Sequence, residues 1–157
     1  MATGIDGHRL VFELEYTGMI MDEETKGSLT TRTLAMPSDT NPSGDIFGGW
    51  VLSQMDIAAG ICAGQRAQCR VVTVALDSMS FILPIKVGDI LGLYTQVTDT
   101  GRTSMTVHVE AWVRRNRIGN REKVIEGNFK FVALDENGKP KPIPDTYDLP
   151  DYARMKT

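Results

Sequence analysis

Residues 48–66 are the one long stretch of this 157-residue chain whose apolar side chains recur at helical spacing, and they do so on nearly every side. Val51, Met55, Ala58, Ala59 and Cys62 share one face. Trp50, Leu52, Ile57 and Ile61 fall on others, so Ser53, Asp56, Gly60 and Gly64 leave a single small or polar stripe. A helix of that kind has to be covered from more than one direction.

The cover has to come from strands, because the rest of the sequence runs with period two. Val72, Val74 and Leu76 alternate with Thr73, Ala75 and Asp77, and that run continues through Phe81 to Pro84. Leu91, Leu93, Thr95 and Val97 share a face between Ile90 and Thr98; Met105 to Val113 and Ile125 to Ala133 alternate likewise. Thr30 to Met36 reads as one more strand, ended by Pro37. Turn formers separate the strands: Pro37 to Asp45 (PSDTNPSGD), KVGD, the hairpin signal Thr100-Gly101-Arg102, the basic Arg115 to Arg121, and ENGKPKPIP. Four strands joined by hairpin-length turns therefore follow the helix, and without crossover helices they predict an antiparallel sheet. The expected fold class is α+β, one long helix wrapped by a curved sheet of about five strands. Such a unit leaves sheet edges and apolar surface uncovered, which predicts a symmetric dimer. Residues 1–28 read as a leader in which Leu10, Phe12, Leu14 and Tyr16 alternate as in a short strand. Residues 29–140 read as the folded domain, and 141–157 as a proline-rich tail.

Composition narrows the chemistry. Seventeen basic against twenty acidic side chains give a formal charge of −3, which weighs against a general nucleic-acid binder. Cys62 and Cys69 are too few for a disulfide framework and lack metal-site spacing, and His8 and His108 are too few for a histidine-rich metal centre. No metal and no redox cofactor are expected. The first residues, MATGIDGHRL, lack the basic start and apolar run of a secretory signal, and no stretch of about 20 apolar residues occurs. The expectation is a cytoplasmic protein without membrane insertion.

Chemistry is best placed where the long loop runs into the helix. Asp45 precedes Gly48-Gly49, whose missing side chains let a substrate approach the backbone. The first N–H groups of a helix lack internal partners, and the dipole adds partial positive charge there, so a carbonyl oxygen turning into an oxyanion suits that site. Asp45 could then activate water or attack directly. The local pattern equally fits Asp45 as a turn residue or cap, with the glycines there to pack.

Three segments carry a resemblance. The stretch from Arg32 to Gly60 (RTLAMPSDTNPSGDIFGGWVLSQMDIAAG), the stretch from Val71 to Asp89 (VVTVALDSMSFILPIKVGD) and TSMTVHVEAWVRR together resemble the hotdog-fold acyl-CoA thioesterases of the YciA type. NxxGDIFGGW followed by QMD is its most specific part. The resemblance implies hydrolysis of acyl-CoA to a carboxylic acid and coenzyme A at sites between two subunits, with a trimer of dimers as a larger assembly. It implies that Asp45 acts as general base or nucleophile, that Gly48 and Gly49 polarise the carbonyl, and that Asn41 and Phe47 meet the substrate. Asp56, on the helix itself, is the alternative acid, as in hotdog thioesterases of the phenylacetyl-CoA type; its other reading is a carboxylate hydrogen-bonded to polar groups across the dimer.

A thiolate leaving group, with a pKa of about 8.5, departs without a strong general acid, so a shortage of histidine is no obstacle. His108 reads as an ordinary exposed or interface strand residue. For the coenzyme A phosphates the best candidates are Arg102, with Thr103 and Ser104 beside it; Arg70, Arg114, Arg115 and Lys130 rank behind. Phe81, Met79 and Met55 are candidates for an acyl pocket or for the core. Pro42 and Ser43 replace smaller or amide residues of the family's pattern, and the leader is longer than usual. A non-catalytic acyl-CoA-binding module and a purely structural assembly subunit are the competing readings.

Overall fold

A computed structural model describes residues 24–115 and 118–146. It contains β1 (Ser28–Leu34), a 3₁₀ turn at Pro37–Asp39, α1 (Gly48–Ala67), β2 (Arg70–Phe81), β3 (Ile90–Thr100), β4 (Ser104–Arg114) and β5 (Arg121–Leu134). The strand suggested for Leu10 to Tyr16 lies outside the described residues, as does most of the tail.

The five strands form one antiparallel sheet in the order β1-β3-β4-β5-β2. Two turns of the expected kind close hairpins, between β3 and β4 and between β4 and β5. The third does not: β2 pairs with β5, and residues 82–89 carry the chain to the other side of the sheet. The crossing has its own anchors. Ile82 N–H donates to the Val124 carbonyl at 2.8 Å, and Ile85 is buried. A period-two pattern carries no information on which strands are neighbours, and in β2 a register shift between Thr73 and Ala75 also breaks the expected alternation, leaving Val72 and Leu76 on opposite faces.

The core lies between α1 and the concave face of the sheet. Val51, Met55, Ala58, Ala59, Ala63 and Ala67 face Leu91 and Leu93 of β3, Met105, Val107, Val109, Ala111 and Val113 of β4, and Phe129, Phe131 and Ala133 of β5. Small residues on the helix let it approach closely while the strands supply the bulk. Each fully buried large side chain contributes about 1.5–3 kcal/mol. The helix ends at Gln68, whose backbone is left-handed (φ 53°) and whose N–H returns to the Gly64 carbonyl at 2.9 Å.

The described residues do not cover the helix all round. Ile57 and Ile61 keep 54% and 41% of their surface exposed, and the edge strand β2 exposes Val72, Val74 and Leu76. Part of the apolar surface of residues 48–66 therefore stays uncovered among the described residues.

Candidate active site

Asp45 is held by backbone on both sides. Pro42 and Ser43 occupy the middle of a turn closed by Gly44 N–H to the Asn41 carbonyl at 2.9 Å, with Gly44 at φ +82°. Proline fits the second position of such a turn, so the departure from the family's pattern stiffens the loop instead of breaking it. The Asn41 side-chain oxygen accepts Ser43 N–H at 2.9 Å and Asp45 N–H at 3.1 Å, while Asn41 N–H donates to the Asp45 carbonyl at 2.7 Å. On the far side, Ile46 N–H reaches the Ile85 carbonyl at 3.0 Å and Phe47 N–H the Asp39 carbonyl at 2.9 Å. Asn41 Oδ1 is engaged by the loop, which fixes the direction of its Nδ2; that group donates to nothing among the described residues.

The Asp45 carboxylate is itself 35% exposed and pairs with the Lys86 ammonium. Sequence reasoning missed Lys86. The KVGD segment signals only a turn, and the pairing exists because residues 82–89 cross the end of the sheet instead of forming a hairpin.

Two residues beyond Asp45 the chain enters α1 without a side-chain cap at Phe47. The Phe47 carbonyl takes the N–H groups of both Trp50 and Val51, at 3.1 and 3.3 Å. The N–H groups of Gly48 and Gly49 have no acceptor among the described residues. A methyl group added at Gly49 would meet nothing within 4 Å, and one at Gly48 would touch the Phe81 ring at 3.4 Å. Phe47 and Phe81, half or more exposed, therefore flank an open helix start. Of the three acyl-pocket candidates only Phe81 is there. Met55 is fully buried in the core, and Met79 packs over Gly127.

Asp56 has a partner inside its own chain: Thr73 Oγ1 donates to its Oδ1 at 2.6 Å. Eight residues along the helix from Gly48, it sits about 12 Å from the free N–H groups. Cys62 makes a poor nucleophile, because burial pushes its thiol pKa up and a hydrogen bond with Thr95 offsets this only in part.

His108 is a strand residue, as expected, but of the two readings the exposed one does not hold within the chain. It lies on the sheet face away from α1 with its side chain only 14% exposed, Nδ1 2.9 Å from Asn128 Oδ1 and Nε2 3.7 Å from Glu110 Oε1. His108, Glu110 and Glu126 bring metal-ligand atoms within 4.8 Å of one another. Lys123 already puts a positive charge among them, at 3.5 Å from Glu110 and 3.2 Å from Glu126.

The candidate coenzyme A contacts are scattered. Arg102, Thr103 and Ser104 form the β3–β4 hairpin, where Gly101 N–H meets the Ser104 carbonyl at 2.8 Å and Ile143 N–H the Arg102 carbonyl at 2.8 Å. Asp45 lies at the opposite end of β3, the length of an 11-residue strand away, or roughly 30 Å. Within one chain the two groups cannot touch one substrate head. Arg115 is tied down by Asp89, by Glu122 at 2.7 Å and by the Pro84 carbonyl at 3.1 Å.

Residues 43–119 match the family model for the thioesterase superfamily. The acyl-CoA thioester hydrolase YciA of Salmonella typhimurium is 47% identical over 127 residues, a match covering 79% of this chain and 96% of that protein. The hexameric thioesterase y2039 of Yersinia pestis superposes with a TM-score of 0.76 at 47% identity, covering 78% of this chain and all of that one. An aspartate-to-alanine mutant of HI0827, a hexameric broad specificity acyl-coenzyme A thioesterase, superposes with a TM-score of 0.74 at 51% identity over 76% and 88% of the two chains.

Proposed function

The chain belongs to the thioesterase superfamily and is an acyl-CoA thioester hydrolase; we propose that it works with Asp45 as general base or nucleophile and the start of α1 as oxyanion hole. The observation that carries this reading is the juxtaposition of a backbone-pinned carboxylate with an uncapped helix start whose Gly48 and Gly49 N–H groups are free. The thioester carbonyl oxygen points at those two N–H groups. As general base, Asp45 takes a proton from water while the water oxygen bonds to the carbonyl carbon. The oxyanion that forms is stabilised by donors already in place, so nothing has to reorganise at that moment. The C–S bond then breaks and coenzyme A leaves as thiolate. Lys86 pairs with Oδ1 alone, which leaves Asp45 Oδ2 to take the proton from water. Asn41 Nδ2 and the Phe47 ring meet the substrate beside Asp45. No metal or redox cofactor takes part, and coenzyme A enters only as part of the substrate.

The working unit is a dimer joined along β2. This edge strand carries unpaired backbone groups and exposes Val72, Val74 and Leu76. Two copies paired antiparallel there would satisfy the edge and cover apolar side chains together. The dimer also lets Arg102, Thr103 and Ser104 of one subunit serve a substrate bound at Asp45 of another. Dimers assemble further into hexamers, as the similar thioesterases do. Among the described residues no helix is long and apolar enough to cross a membrane; the cytoplasm is the proposed place of action.

Thiol release measured with short- to long-chain acyl-CoAs tests the reading. Wild type is expected to turn over at least one chain-length class, and Asp45→Asn to bind the same ester with turnover at least about 100-fold slower. Binding without turnover in the wild type would instead identify an acyl-CoA-binding module.

A further inference from the structure

Residues 82–89 meet the Asp45 loop from the other end of the sheet, and that segment is itself clamped from behind. The Ile85 carbonyl accepts Ile46 N–H at 3.0 Å, and the Lys86 ammonium pairs with Asp45 Oδ1. Both backbone groups of Lys86 are in turn committed to Asp89. Its N–H donates to Asp89 Oδ2 at 2.9 Å, and its carbonyl accepts Asp89 N–H at 3.1 Å. The Asp89 side chain is only 5% exposed, and the same Oδ2 accepts Arg115 Nη1. Arg115 takes a second hold on the segment, from Nη2 to the Pro84 carbonyl at 3.1 Å, while Glu122 braces its Nε at 2.7 Å.

This clamp exceeds what the crossing needs. Ile82 N–H is already bonded to Val124 and Ile85 is buried, while Gly88 N–H to the Ala35 carbonyl at 2.9 Å and Ala35 N–H to the Asp89 carbonyl at 3.0 Å tie the far end down. A neutral Asn at position 89 would close the same turn, because the bond from Lys86 N–H asks only for a side-chain oxygen. A buried carboxylate is costly unless it is paired. What the ion pair adds is a forked, charge-assisted grip on Pro84 and, through Asp89, on Lys86, the residues either side of Ile85.

We infer that Arg115 and Asp89 are a positioning pair for the hydrolysis, holding Ile85 and Lys86 where these two residues orient the Asp45 carboxylate. The inference rests on Asp45 as the reacting group. The pair acts at one remove, since its contacts run to Pro84, Lys86 and Glu122. Arg115 has Nε, Nη1 and Nη2 each committed within the chain, so its part is to hold the segment and not to grip a coenzyme A phosphate. A misplacement of about 1 Å at a reacting group costs about 100-fold in rate. Loosening residues 84–86 moves the carboxylate and leaves the substrate-binding surface in place, so kcat falls and KM does not.

The test measures thiol release from one acyl-CoA by wild type, Arg115→Gln, Arg115→Lys and Asp89→Asn. Each is assayed at a temperature where circular dichroism and sedimentation show it folded and assembled as wild type. Arg115→Gln should lower kcat about 10- to 30-fold while KM stays within about twofold. Arg115→Lys keeps the charge but cannot fork, and should fall between that variant and wild type. Asp89→Asn keeps the shape and the turn and should lose kcat about 3- to 10-fold; it carries the test if Arg115→Gln does not fold. Arg115→Gln is also made in the Asp45→Asn protein, where it should change the residual kcat by less than about twofold, because the carboxylate it orients is gone. A general loosening of the fold would instead lower both backgrounds alike. Wild-type kcat in every single variant, a loss confined to KM, or equal losses in the two backgrounds overturns the inference. Near-normal turnover by Asp45→Asn itself is a different failure: it removes the assignment of Asp45, and the positioning role with it.

Discussion

Asp45 gains its place from neighbours that have no chemistry of their own. Asn41 Oδ1 ties down two N–H groups of the loop, and Ile46 and Phe47 anchor it to residues 85 and 39. Truncating Asn41 to Ala frees both donors and loosens the carboxylate. Turnover is expected to fall about 10- to 100-fold with melting temperature only slightly lowered; steady-state kinetics beside a thermal melt separate those effects. A role confined to gripping substrate would appear in KM alone. Asp45 and the glycine pair were legible in the sequence because they lie within five positions of each other. The Asp45–Lys86 pair was not, since it joins positions 41 residues apart through a crossing that no local signal announces. Met55 shows the opposite limit. Helical spacing put it on the core-facing row, and only burial distinguishes that role from an acyl pocket.

At the scale of elements, α1 and β2 carry more apolar surface than the described residues cover. The helix spans, the strand spans and the antiparallel pairing were readable from period and turn chemistry, because those signals are local. The neighbour order was not, because β2 joins the sheet at β5 through contacts distant in sequence. Part of the apolar surface of α1 and β2 finds no cover among the described residues, and this predicts how two substitutions differ. Met55→Ala should cost about 2–5 kcal/mol at any protein concentration, since it opens a cavity in the core. Leu76→Lys, on the exposed edge, should leave far-UV circular dichroism unchanged while shifting sedimentation toward monomer and reducing activity with it. A Leu76→Lys protein that kept wild-type assembly would place the subunit contact elsewhere.

Across the whole molecule, the two faces of the sheet do different work. One is an apolar seat for the helix; the other buries a charged network centred on Glu110, which takes Lys26 N–H and Trp112 Nε1 at 3.0 Å and Lys123 at 3.5 Å. Alternation in β4 showed that His108, Glu110 and Trp112 share a face but not that the face is buried. Burial pushes the Glu110 carboxyl pKa up, and the Lys26, Trp112 and Lys123 contacts outweigh it, leaving the pKa below the ordinary 4.5. A carboxyl depressed in the folded state stabilises the fold above its unfolded pKa and loses that contribution as pH falls through the folded one. Glu110→Gln should therefore cost about 2–3 kcal/mol near neutral pH, with the difference from wild type shrinking below pH 4.5. Denaturant titrations at neutral and acidic pH check both the sign and the window.

Which carboxylate performs the hydrolysis can be read from one comparison: kcat for thiol release from an acyl-CoA by Asp45→Asn and by Asp56→Asn, each shown to be folded and assembled as wild type. Asp45→Asn should lose at least about 100-fold and Asp56→Asn less than about tenfold. Near-normal turnover by Asp45→Asn, with the activity lost in Asp56→Asn, would move the chemistry from the loop to the helix.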